Sequence, residues 1–162
     1  MNKTVFGFQF IPELCIQCHA CTVACSTWNN LHTGNHYRRV ASRFEGEFPA
    51  PKLVAVSVSC LHCQNPACAE VCPEHAIRVD DHGRVLVIPE NCVGCRLCYD
   101  VCPVGAPQFG PDGTMSKCDL CASSGDPACV RACPSQALRV LPMTEDEKAH
   151  HNETQLRLLH GK

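Results

Sequence analysis

Sixteen cysteines in a chain of 162 residues constrain this protein more than any other feature. They fall into four groups of four with none left over. The first group, CIQCHACTVAC, contains Cys15, Cys18, Cys21 and Cys25; the second, CLHCQNPACAEVC, contains Cys60, Cys63, Cys68 and Cys72. The third, CVGCRLCYDVC, contains Cys92, Cys95, Cys98 and Cys102; the fourth, CDLCASSGDPACVRAC, contains Cys118, Cys121, Cys129 and Cys133. Every group opens with C-x2-C and closes with C-x3-C, and only the middle gap varies. A variable gap is what a surface loop tolerates. A constant x3 is what one helical turn imposes, because positions i and i+4 share a face. Leu, Ile, Val and Phe are too sparse for a large apolar core, so something besides hydrophobic burial must help to hold the fold.

Three kinds of bond can recruit cysteines at this density. Disulfides fit poorly, since closely spaced C-x2-C pairs make poor partners for many separate bridges and no export signal points to an oxidising compartment. A structural zinc in each group fits better, but zinc sites normally split into two C-x2-C knuckles across a long spacer. Here three cysteines are crowded together and the fourth follows x3 later, ahead of Pro73, Pro103 and Pro134 in three of the groups. That is the bacterial ferredoxin spacing for [4Fe–4S] clusters, C-x2-C-x2-C-x3-C-P. Group three matches it at every position, groups two and four widen the middle gap, and group one has Ser26 in place of the proline.

In two-cluster ferredoxins the fourth cysteine ligates the other cluster. Three thiolates on a tight loop, helped by flexible residues such as Gly94, wrap three corners of a cube. The helical turn then carries the fourth thiolate away, and proline ends the turn. Groups must therefore pair. Groups two and three are close in sequence, which leaves groups one and four to pair across them. The expected ligand sets are Cys60, Cys63, Cys68 with Cys102; Cys92, Cys95, Cys98 with Cys72; Cys15, Cys18, Cys21 with Cys133; and Cys118, Cys121, Cys129 with Cys25. The expected fold class is α+β: two nested ferredoxin-like modules of small two-stranded sheets and short helices around four clusters. The inner module spans 59–111, the outer 1–58 plus 112–143, and 144–162 is a C-terminal tail.

Short apolar runs predict strands at Val5–Ile11, Leu53–Ser59, Ala76–Val79, Val85–Ile88 and Ala137–Val140, with a turn at DDHG between the third and fourth. Residues 26–52 read as a polar connection of no clear type. Thr144 and Glu147 fit a capping box, which predicts a helix over 144–160, either a docking element or a plain surface helix.

The segments SCLHCQNPACAEVCPEHAI, CVGCRLCYDVCPVGAPQF and MSKCDLCASSGDPACVRACPSQAL resemble the four-cluster iron–sulfur subunits of DMSO reductase-type molybdenum or tungsten enzymes. The resemblance covers residues 4–140. It implies nested ferredoxin-like modules and docking onto a large molybdopterin catalytic subunit. It also implies contact with a membrane anchor or quinone-reactive subunit. Some relatives replace one cysteine of the third group and bind a three-iron cluster; here all four are present, so four [4Fe–4S] clusters are expected. Many relatives also carry a longer C-terminal extension.

A cluster with four cysteine ligands has no open site for substrate, and the chain contains no P-loop, dinucleotide glycine motif or Ser/His/Asp arrangement. The expectation is a non-catalytic electron-transfer subunit; a free-standing polyferredoxin carrier is the alternative. A net charge of −2 without a dense Lys/Arg block gives no reason to expect nucleic-acid binding. The longest apolar run, LVAVSVS, is too short to span a bilayer, and no signal peptide or twin arginine is evident. The chain is therefore expected to be cytoplasmic, or exported with a signal-bearing partner, with peripheral attachment to the membrane through a partner as a further expectation. Lys117 and Arg96 sit among the cysteines; each is either a cation that raises its cluster's potential or a solvated charge, and the solvated reading is preferred. His19 and His62 read as surface histidines rather than as ligands or proton relays.

Overall fold

The computed structural model describes residues 4–161. Among these, the strands pair only two by two, into four antiparallel sheets. β1 (Val5–Phe10) pairs with β8 (Leu138–Met143), from Val5 opposite Met143 to Phe10 opposite Leu138. The start and end of the chain thus meet in one ribbon. β2 (Arg39–Glu45) and β3 (Lys52–Val58) form a hairpin, as do β4 (Ile77–Val79) with β5 (Val85–Val87) and β6 (Gln108–Phe109) with β7 (Met115–Ser116). Five α-helices complete the described fold: α1 (Ala20–Trp28), α2 (Ala67–Glu70), α3 (Leu97–Asp100), α4 (Ala128–Arg131) and α5 (Glu145–His160). The class is α+β with small sheets and short helices, as the sequence predicts.

The five anticipated strands are present, shifted by a residue or so at most ends. β8 runs further than expected, through Pro142 to Met143. Both strands of a two-stranded sheet are edges, where proline is tolerated. The unassigned stretch 26–52 contains β2, in which two arginines and a glutamate leave no continuous apolar run. Its partner supplies the apolar face: Val56 and Val58 are buried opposite Ala41 and Arg39. β6 and β7 have two residues each, too short to leave a periodic signal.

No sheet is large enough to form a core alone, and the thiols complete it. The main cluster of buried side chains joins Phe8, Phe10, Val56, Val58, Leu61 and Leu138 to Cys21, Cys25, Cys60, Cys118 and Cys129. A second, smaller cluster sets Ile77, Val85 and Met115 around Cys98, with Cys68, Cys72 and Cys92 packed against it.

The tail is a helix, capped as expected. Thr144 Oγ1 accepts from the Glu147 amide, and the Glu147 carboxylate accepts from the Thr144 amide. Gly161, at φ +74°, closes the far end in the left-handed conformation. The helix is not a plain surface helix. Lys148 and Gln155 are buried; Lys148 Nζ donates to the Gly83 carbonyl at 2.6 Å and Gln155 to that of Phe8 at 3.3 Å. Asn152 donates to the Leu61 carbonyl at 3.1 Å. The helix therefore straps β1, the β4–β5 turn and the loop after β3 together.

Candidate metal centres

Each group of cysteines begins on a loop that places at least one residue in the left-handed conformation. In groups one and three a 3-10 turn opening on proline, Pro12–Leu14 or Pro89–Asn91, hands the chain to the first cysteine. Beyond it, Gln17 and His19 in group one, and Gly94 and Arg96 in group three, take left-handed conformations at matching positions. Gly94 is there for two reasons. Its φ is +70°, and an added Cβ would lie 2.7 Å from the Gly113 carbonyl oxygen.

The third cysteine of each group sits on a helix, and the fourth lies four residues later. α2, α3 and α4 hold Cys68, Cys98 and Cys129, and each is only one turn long. Pro73, Pro103 and Pro134 come directly after the closing cysteines, and the helices stop short of them. In group one Ser26 stands there instead, and α1 continues to Trp28. This difference reaches the sulfur. Past the prolines the chain turns back, so that Ala76 N–H donates to Cys72 Sγ and Ala106 N–H to Cys102 Sγ, both at 3.3 Å. Around Cys133 the Leu138 and Ala137 amides and the Ser135 hydroxyl favour the thiolate. The continuing helix denies Cys25 that backbone donor, and the side chain of Asn29, again four residues on, approaches its sulfur at 3.6 Å.

The thiols gather in sets that cut across the sequence groups. Cys60, Cys63, Cys68 and Cys102 line one cavity of about 320 Å³, together with Lys117 and Val104. Cys72, Cys92, Cys95 and Cys98 line a second, smaller hollow, and Cys15, Cys18, Cys21 and Cys133 a third. Cys25, Cys118, Cys121 and Cys129 are all buried, with α1 packed on α4. Burial and then the neighbouring Cys129 push the Cys25 thiol up to about 11, with Cys121 adding to the effect.

Burial likewise raises Cys68 to about 11 and Cys118 to about 12. Such thiols stay protonated at neutral pH unless a cation replaces the proton. Cys133 goes the other way from these: burial pushes it up, but donors from Leu138, Ser135 and Ala137 outweigh this and bring it below its ordinary value. The donor set is soft thiolate, suited to zinc or to iron–sulfur clusters. Among the described residues, no three His, Cys, Asp or Glu side chains converge as they would on a single metal ion. Three of the four sets ring hollows, which fits a polynuclear cluster.

Two of the four flanking residues depart from expectation. Lys117 is not solvated: it is 6% exposed, and its ammonium donates to the carbonyls of Val85 and Cys118. His62 is buried rather than on the surface. Its Nδ1 accepts from the Val85 amide at 2.9 Å, and burial, with Lys117 and Lys148 nearby, holds its pKa well below the ordinary value. It is therefore a neutral structural histidine. Arg96 and His19 are exposed as anticipated, Arg96 lying 5.1 Å from the centre of the Phe109 ring. Sequence reasoning missed Asn29, Lys148 and Arg38, none of which belongs to a spacing pattern. Lys148 lies in a polar tail and Arg38 in a polar connection, and only the tertiary fold carries each into the interior.

The protein matches the family described as a 4Fe-4S dicluster domain over residues 52–142 and a 4Fe-4S binding domain over residues 12–28. It is 38% identical to the B subunit of anaerobic dimethyl sulfoxide reductase from Haemophilus influenzae, covering 86% of this chain and 75% of that one. With the subunit of the same name from Escherichia coli K12 it shares 36% identity, over 91% of this chain and 78% of the relative. The formate dehydrogenase iron-sulfur subunit of Wolinella succinogenes is 42% identical over 67% of this chain and 56% of its own length.

Proposed function

Since this chain belongs to the [4Fe–4S] electron-transfer subunits of the molybdopterin oxidoreductase family, we propose that its sixteen cysteines hold four clusters in crossed sets and serve a molybdenum or tungsten catalytic partner. The sets are Cys60, Cys63, Cys68 with Cys102; Cys92, Cys95, Cys98 with Cys72; Cys15, Cys18, Cys21 with Cys133; and Cys118, Cys121, Cys129 with Cys25. The observation that carries this reading is the 320 Å³ cavity, whose four thiols come three from one group and one from the next. When bound, the clusters supply one-electron redox capacity.

The chain's own residues do the rest. Loop thiols fix three corners of each cluster, and the closing cysteine of the paired group fixes the fourth. That crossing ties the sites into neighbours: α2 packs on α3, α1 on α4, and Cys118 lies near Cys60. The resulting order is the Cys92 site, the Cys60 site, the Cys118 site and the Cys15 site. On this ligand scheme the chain is two modules, 59–111 inside 1–58 plus 112–143, with the tail helix strapped across both. All four iron corners being ligated by protein, the chain itself makes and breaks no substrate bonds.

A partner of the kind named for the relatives is supported by exposed aromatics at the end of the β2–β3 hairpin. Phe44 is 76% and Phe48 92% exposed, with Leu53 opposite Phe44. A free-standing carrier has no use for such a patch. Among the described residues no helix is long and apolar enough to cross a membrane. The test is gentle purification of the native complex with identification of the partner and its metal. Co-elution with a much larger pterin-containing chain is expected. Elution alone at its own mass would favour the carrier reading.

A further inference from the structure

Arg38 is 1% exposed, yet among the described residues it forms no ion pair with a carboxylate. Its Nη1 donates to the Ser57 carbonyl and hydroxyl oxygens, both at 3.2 Å, and its Nη2 to Ser59 Oγ at 2.7 Å. The guanidinium lies 4.1 Å from the centre of the Phe8 ring, and its Nε finds no acceptor. Serine oxygens and a ring face do not neutralise a full charge. A buried guanidinium requires an anion, and a carboxylate is the usual one.

The groups around it indicate what the anion is. Ser57 Oγ bridges Arg38 to Cys21, whose sulfur is 3.4 Å away. Burial pushes the guanidinium's pKa down, but Cys129, Cys118, Cys21 and Cys25 together hold it above its ordinary value. Those four thiols come from groups one and four alone. In the crossed ligand sets, Cys118, Cys129 and Cys25 belong to one cluster, while Cys21 belongs to its neighbour.

We propose that Arg38 is the internal counter-ion of the two outer clusters, and that its guanidinium raises their reduction potentials. This rests on the crossed ligand sets. Each cluster with four thiolates is anionic and becomes more so when it accepts an electron. A fixed cation in a low-dielectric interior stabilises the more negative, reduced form. Because arginine does not titrate in the working range, the effect is permanent rather than a pH switch. Placed between two successive sites, the charge raises both.

The experiment is potentiometric titration of the cluster-loaded full chain, monitored by electron paramagnetic resonance, for Arg38→Met, Arg38→Gln and Arg38→Lys. Cys25→Ser and Cys133→Ser first assign the signals of the Cys118 and Cys15 clusters. Without the charge, the reduced-to-oxidised ratio of both outer clusters at a given potential should fall at least tenfold, a shift of about 59 mV for one electron. The Cys92 cluster should stay where it is, the Cys60 cluster, whose first ligand adjoins Ser59, should move less than the outer two, and lysine should restore most of the shift. Glutamine retains donors for Ser57 and Ser59, so it separates charge from packing. Unchanged potentials in loaded Arg38→Met or Arg38→Gln would overturn the proposal, as would an equal shift in all four clusters or in Arg38→Lys. Loss of the two outer clusters alone in both neutral variants, with lysine loading all four, supports it in its extreme form. Failure of all three variants to load any cluster overturns it. If Cys25→Ser and Cys133→Ser disturb the wrong signals, the ligand scheme fails while the unequal effect of Arg38 across the four clusters is still read.

Discussion

Cys25 differs from the other closing cysteines in its next neighbour along the chain, and that single residue identity accounts for the difference in its surroundings. Where proline stops the turn, an amide four residues on reaches the sulfur of Cys72 or Cys102; where Ser26 lets the helix run, Asn29 supplies a side-chain donor. N–H···S bonds favour the reduced cluster. Asn29→Leu should therefore lower the potential of the cluster held by Cys118, Cys121 and Cys129. The expected size is on the order of 1 kcal/mol, about fivefold in the one-electron equilibrium, read by potentiometry. An unchanged midpoint would show that the sulfur does not use this donor. Cys102→Ser tests the crossing itself. Although Cys102 belongs to the third group in sequence, its substitution should convert or deplete the cluster of Cys60, Cys63 and Cys68, with the Cys92 cluster spectroscopically intact. The reverse pattern would mean that each group serves its own cluster.

At the scale of elements, the β4–β5 turn shows local chemistry holding a ribbon too short to hold itself. Asp80 Oδ1 accepts from the amides of His82 and Arg84, at 3.0 and 2.9 Å, and Oδ2 from Arg84 Nε at 2.6 Å. Burial raises the carboxyl's pKa, but these Arg84 and His82 bonds outweigh it and hold it below 3.8. A depressed carboxyl stabilises the fold above its unfolded pKa and loses that contribution as pH falls through the folded value. Asp80→Asn should thus cost about 1–2 kcal/mol near neutral pH. The gap from wild type, measured by chemical denaturation, should stay level until the pH falls below the ordinary carboxyl range. A gap that closed already near neutral pH would rule this out. The turn was legible in DDHG, and the tail helix in Thr144 and Glu147, because both are set by contacts within four residues. β2 was not, since Val40 and Phe44 become strand residues only through β3. Nor was the burial of Lys117, Lys148 and Arg38, which depends on where distant elements come to rest.

For the molecule as a whole, the spacing of the cysteines and the shape of the core are one constraint. The buried clusters combine aliphatic and aromatic side chains with thiols from every group, and no sheet among the described residues has more than two strands. Ribbons of that size are marginal in water without something to pack on. If iron–sulfur clusters fill the hollows, their binding energy is part of the folding energy. Removing them leaves cavities lined by protonated thiols and a buried Arg38 with no anion. Stripping the iron with a chelator under oxidant-free, reducing conditions should therefore unfold the chain rather than leave an empty scaffold. Near-ultraviolet circular dichroism should collapse, and limited proteolysis should cut within 59–111 as well as toward both ends. Thr144→Ala, which removes the α5 cap at a cost of about 1 kcal/mol, should hasten that collapse, because α5 straps β1 to the β4–β5 turn. An iron-free chain that kept its protease resistance would refute the dependence, and with it the view that the clusters replace the apolar core the composition lacks.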